Sequence, residues 1–134
     1  MKVVTAAIIR DKDRFLIARR APDQIHSGFW EFAGGKVEAG ETPEECLARE
    51  LKEEFGISAT IGGFFADNVH SYPGGTILLK AYEVESFTGE IHTTVHDRVE
   101  WVTLESLRER ELLPADIPIA AELKSLVQPS DVAG

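Results

Sequence analysis

Apolar residues are unevenly spread along the chain, and their spacing changes twice. In VVTAAIIR, Val3 to Arg10, apolar and β-branched residues dominate, and FLIA, Phe15 to Ala18, renews the run after the polar DKDR. Two such runs around a short polar break predict a hairpin. APDQIHSG reads as a loop, and FWEF, Phe29 to Phe32, as a short strand entering a Gly34-Gly35 turn. The period then becomes helical, with Leu47, Leu51 and Phe55 at i, i+4 and i+8 forming a core-facing stripe. Thr42 suits the N-cap, Pro43 the first helical position and Glu45 the far side of a capping box. Gly56 is the expected stop. Segments near Ile61 to Ala66, Thr76 to Val84 and Val99 to Val102 predict strands, with SYPGGT turning between two of them. LESLRER and Ile117 to Val127 predict helices, and QPSDVAG a frayed end. Mixed strands with a few helices, and no repeat or linker, predict an α+β fold arranged as an α/β/α sandwich. One domain is expected over residues 1–128, with a flexible tail at 129–134.

Composition narrows the function classes. A chain of 134 residues is the size of one ordinary domain, and 43% hydrophobic with 28% charged residues fits a soluble globular protein. No apolar run approaches the roughly 18 residues that cross a bilayer. The first residues show no signal-peptide pattern. A lone cysteine, Cys46, excludes an internal disulfide and fits a reducing, cytoplasmic compartment. The net charge of −9 argues against an extended nucleic-acid surface. A small phosphorylated ligand stays open, because bound cations invert the field where acid is concentrated.

The acid is concentrated in ARELKEEFG, Ala48 to Gly56. On a helix Glu50, Glu53 and Glu54 share an arc of roughly 100°, beside the core stripe, and their like charges disfavour it. Either that face is wet, or a cation sits on it; magnesium takes oxygen ligands from carboxylates and substrate phosphates. The surrounding pattern is more specific: Gly35, five residues, Glu41, seven residues, then Arg49-Glu50-Leu51, Lys52, Glu53-Glu54, Phe55, Gly56-Ile57. It resembles the Nudix box at every defining position. FWEFAGGKVEAGE and LPADIPIAAEL extend the resemblance over nearly the full chain, to the MutT-like branch and especially its CTP pyrophosphohydrolase members.

The resemblance implies a Nudix fold and a Mg2+-dependent hydrolase, with Mn2+ as a substitute. Glu50, Glu53 and Glu54 would be metal ligands, joined by the Gly34 carbonyl. Glu53 is the first choice for activating water, and Arg49, four residues from both Glu45 and Glu53, would orient a glutamate. A loop glutamate that MutT-like proteins carry before the last strand falls here at Val95, aligned on Trp101. His96 and Asp97 are the nearest replacements, and Asp97 is preferred because a carboxylate suits magnesium. His92 and His96 have an H-x-x-x-H spacing that suits zinc on a helix, but nothing predicts a helix there. Arg20 and Lys36 are expected to contact substrate. Trp30 or Phe29 would form a stacking wall, although alternation puts at least one of each adjacent pair in the core. Asp116 stands where MutT proteins that read oxidised guanine carry Asn. Ionised, it only accepts hydrogen bonds, which suits the amino group of cytosine; protonated, it also donates, which keeps oxidised purines open. A plain role as N-cap of the following helix is equally compatible.

The expected activity is hydrolysis of nucleoside or deoxynucleoside triphosphates to the monophosphate and pyrophosphate. The expected substrates are cytidine-type nucleotides, including modified ones, or 8-oxo-dGTP, in the service of nucleotide-pool sanitisation by a monomer or homodimer. No nucleic-acid polymer or membrane is expected as a partner. The alternatives are a Nudix-fold nucleotide-binding module without catalysis, and a hydrolase of ADP-ribose or dinucleoside polyphosphates.

Overall fold

The computed structural model describes residues 1–127. Strand β1 (Lys2–Ile8) runs parallel to β6 (Gly75–Thr88), which pairs antiparallel with β5 (Ser58–Tyr72) to give a mixed sheet. A second sheet is built around β3 (Arg14–Arg20), which pairs antiparallel with β2 (Arg10–Asp11), β4 (Trp30–Glu31) and β7 (His96–Thr103). The first hairpin closes at Asp11 and Arg14, and Lys12 enters the left-handed region at φ 56°, as a two-residue hairpin loop requires.

Consecutive residues of β1 and β3 enter two different cores. Ala6, Ile8, Phe15 and Ile17 pack with Phe32, Leu107, Ile119 and Leu123, while Ala7, Leu16 and Ala18 pack with Leu47, Leu51 and Phe55. Both faces of these strands are covered, so their sequences read as apolar runs rather than alternations. Helix α1 (Pro43–Phe55) covers one side; α2 (Leu104–Arg108) and α3 (Ile117–Glu122) contribute to the other. This is the predicted sandwich.

The caps of α1 form as the sequence requires. Thr42 Oγ1 accepts from Glu45 N–H at 3.1 Å, Glu45 Oε1 accepts from Thr42 N–H at 2.8 Å, and Gly56 ends the helix at φ 71°. Strands β5 and β6 run longer than their apolar stretches, and register shifts around Ile61, Phe64 and Ala66 interrupt the inward pattern. The helix expected over residues 117–127 stops at Glu122 and continues as a 3-10 turn, Leu123–Ser125. The expected tail, 129–134, lies outside the described residues. Among those described, no helix is long and apolar enough to cross a membrane.

Candidate active site

The site begins with a close approach of backbones. Thr5 N–H donates to the Gly35 carbonyl at 2.8 Å and Ala7 N–H to that of Ala33 at 2.7 Å. Because carbonyls alternate along an extended segment, the intervening Gly34 carbonyl faces away from β1. A Cβ at Gly34 would lie 1.9 Å from the Thr5 carbonyl oxygen, and one at Gly35 would lie 2.3 Å from Glu50 Cδ. The glycine pair therefore lets the loop lie on β1 and lets the Glu50 carboxyl close over the loop.

One cleft of about 300 Å³ joins these parts, with Gly34, Gly35, Glu50 and Glu54 among its lining residues and Arg20, Glu31, His96 and Asp116 also opening onto it. At the acidic part, burial pushes the Glu50 carboxyl above its usual range, with Glu54 and Glu53 adding to the rise and Arg49 opposing it. Glu54 Oε2 is buried and, among the described residues, has no hydrogen-bond partner. An orphaned carboxylate oxygen is costly in such a place, and a hard cation would satisfy it.

Arg49 organises the rest of the acid. Its Nε and Nη2 grip Glu41 at 3.0 and 2.7 Å, and Nη1 reaches Glu50 at 2.9 Å and Glu53 at 3.2 Å. Glu41 also accepts from the Glu38 N–H at 2.8 Å, and these bonds, that with Arg49 first, hold its carboxyl down at about 2. Glu41 thus ties the loop to α1. Glu53 is largely exposed and turned to Arg49, and no three His, Cys, Asp or Glu side chains among the described residues already converge on one point.

The backbone leading to Asp116 is held by bonds to two strands. Leu113 N–H donates to the Trp30 carbonyl at 2.9 Å, Ala115 N–H to Tyr72 Oη at 3.0 Å, and Asn68 Nδ2 to the Ala115 carbonyl at 3.1 Å. Asp116 Oδ2 then accepts from Phe32 N–H at 3.0 Å and makes no capping bond to α3. Burial pushes this carboxyl up to about 8, against the pull of the Phe32 N–H. Burial thus favours the neutral form, which can both donate and accept.

The NUDIX domain family matches residues 1–123. The chain belongs to the Nudix family. It is 38% identical over 130 residues to a CTP pyrophosphohydrolase of Escherichia coli strain K12, covering 96% of each chain. It is 34% identical over 126 residues to the 8-oxo-dGTP diphosphatase of the same strain, covering 94% of this chain and 98% of that one. The crystal structure of a MutT NUDIX hydrolase from Burkholderia pseudomallei superposes with a TM-score of 0.83 at 25% identity, covering 91% of this chain and 97% of that one. The protein is a MutT-like Nudix hydrolase with the Nudix fold.

Three expectations for the Nudix site are corrected by its geometry. Asp97 lies outside the cleft, held by Arg19 through two bonds of 2.8 and 2.9 Å, which also hold its carboxyl below its usual range. Trp30 is buried in the core at 6% exposure, with the Arg110 guanidinium 4.9 Å and that of Arg19 5.8 Å from its ring, so it offers no stacking wall to a base. Lys36 is exposed and does not line the cleft; only its carbonyl is engaged, by Arg49 at 3.2 Å.

Sequence reasoning missed Glu31 and preferred Asp97 to His96. Their signal is a β-bulge: Arg19 pairs with Arg98, yet Arg20 pairs with His96, so Asp97 is the extra residue. Bulges re-aim side chains next to active sites, and this one sends His96 into the cleft and Asp97 out of it.

Proposed function

We propose that this Nudix hydrolase cleaves nucleoside and deoxynucleoside triphosphates to the monophosphate and pyrophosphate in a Mg2+-dependent reaction. Cytidine-type nucleotides, including modified ones, and 8-oxo-dGTP are the proposed substrates, and clearing altered nucleotides from the cytoplasmic pool is the proposed role. The observation that carries this is the pairing, in one cleft, of the orphaned Glu54 oxygen with the buried Asp116 carboxyl.

Glu50, Glu54 and the Gly34 carbonyl would hold the ion, with Glu53 completing the set once it turns from Arg49. Mg2+, or Mn2+ in its place, would there neutralise phosphate charge and lower the pKa of water. Arg49 aligns Glu50 through a charge-assisted bond. Glu53 would take the proton of the water whose oxygen bonds to phosphorus as the anhydride bond between the α- and β-phosphates breaks, leaving the monophosphate and pyrophosphate. Arg20 would meet the substrate from the end of β3. Asp116, in its neutral form, both donates and accepts towards the base, a pattern that serves cytosine and oxidised guanine alike.

A nucleotide panel with Mg2+ tests the reading, with pyrophosphate and phosphate release measured separately. Pyrophosphate should appear from a cytidine nucleotide or 8-oxo-dGTP, and Glu53→Gln should lower kcat by more than about tenfold, the lower range for lost general-base catalysis being higher still. Tight binding of a triphosphate without turnover would replace the hydrolase with a binding module. Turnover within tenfold in the Glu53 variant would move the base elsewhere.

A further inference from the structure

We infer that His96 is a positioning residue that fixes the Glu31 carboxylate, together with Arg20, as the wall against which the nucleotide is selected. The inference rests on the nucleotide hydrolysis proposed above and assigns the part of the cleft beside the C-terminal end of α1.

The imidazole is held at both nitrogens. Nδ1 lies 2.9 Å from Thr93 Oγ1 and Nε2 lies 2.8 Å from Glu31 Oε2, while the Phe55 ring packs against it at a centroid distance of 5.3 Å. The side chain is only 5% exposed. With both nitrogens engaged, it has none to offer a metal ion or a water, so it does not take over from the glutamate missing at Val95. It can instead orient a neighbour. Against a carboxylate Nε2 must carry the hydrogen, and the Thr93 hydroxyl can donate to Nδ1 and so select that tautomer.

Glu31 is gripped from two sides at a single oxygen. Arg20 Nη1 donates to Oε2 at 2.9 Å, and Arg20 Nε is itself anchored on the Ile25 carbonyl at 2.6 Å. Oε1 takes part in neither contact, and Glu31 lines the cleft together with Asp116. Phe32, whose N–H donates to Asp116, is the next residue in the chain. Glu31 Oε1 is therefore a fixed acceptor in the cleft that Asp116 also lines. That acceptor matches a base edge carrying an amino group or ring N–H. The bulge at Asp97 makes this possible, because it sets His96 directly opposite Arg20.

A charge-assisted hydrogen bond contributes roughly 1.5–3 kcal/mol, equivalent to roughly 10- to 100-fold in affinity. His96→Ala should therefore raise KM for the preferred triphosphate by about that factor, with kcat within about threefold, the split expected when binding rather than chemistry is lost. His96→Gln, whose amide can still donate to Glu31, should recover most of the loss, and it serves as the test if the alanine variant does not fold. Glu31→Gln should raise KM likewise, and the double variant should be no worse than Glu31→Gln alone, because both changes remove one contact. A fall in kcat at constant KM, or effects that multiply in the double variant, would overturn the inference. Wild-type protein that hydrolyses no triphosphate would instead defeat the hydrolase reading. Calorimetric titration with the same nucleotide would then report on His96 separately, and an unchanged Kd in His96→Ala would overturn its role.

Discussion

Asp116 shows how a residue's surroundings rewrite its chemistry. The carboxyl is 5% exposed and is pushed up to about 8 by burial, so folding favours its protonated form. Its contribution to stability is complete below the unfolded value near 3.8 and is lost as pH rises through the folded value near 8. The slope is at most about 1.4 kcal/mol per pH unit between those limits. Asp116→Asn, which keeps an acceptor for the Phe32 N–H, should flatten the pH dependence of urea unfolding between pH 5 and 8, within this window. A slope equal to that of wild type would place the titration elsewhere. The sequence allowed both protonation states, and only burial chooses. Gly34, Gly35 and Arg49 were legible one by one, because box spacing fixes their partners. His96 and Asp97 were not, since one bulged residue exchanges which of them enters the cleft.

At the scale of elements, α1 is where sequence and structure agree most closely. Its capping box, its Pro43 start, its Gly56 stop and its stripe of Leu47, Leu51 and Phe55 all act as the sequence indicates. Local rules suffice there because the caps lie within a few residues of what they cap. Leu51 is fully buried, and Leu51→Ala should cost about 2–5 kcal/mol in urea unfolding. Thr42→Ala, by losing the cap, should cost about 1 kcal/mol. A comparable loss from both would mean that the helix is held by its ends rather than its packing. Strands β5 and β6 were less legible, since their outer halves are polar and their register shifts several times. Pairing between strands, not local pattern, sets their length.

For the whole molecule, the sandwich explains where the charge goes. The apolar runs of β1 and β3 are consumed by two cores, leaving the acid of a −9 chain to its surface and cleft. A ligand that binds only the folded state stabilises it by about 2.7 kcal/mol at a hundred times its Kd. Mg2+ at that level should raise Tm by about 5–10 °C for a domain of this size. Scanning calorimetry with and without Mg2+ measures the shift, and Glu54→Gln should remove most of it. No shift at any Mg2+ concentration would separate the acid cluster from metal altogether.

The fork of Arg49 has a consequence for how this protein is made ready. The guanidinium already sits among Glu41, Glu50 and Glu53, as a resident counter-ion supplied by the chain. Structural zinc modules collapse when chelated, because metal affinity is their folding energy. If Mg2+ binds as proposed, assembly and loading should be separate events. The protein should emerge from synthesis complete in shape and wait for its ion, and a chelator should silence it without unfolding it.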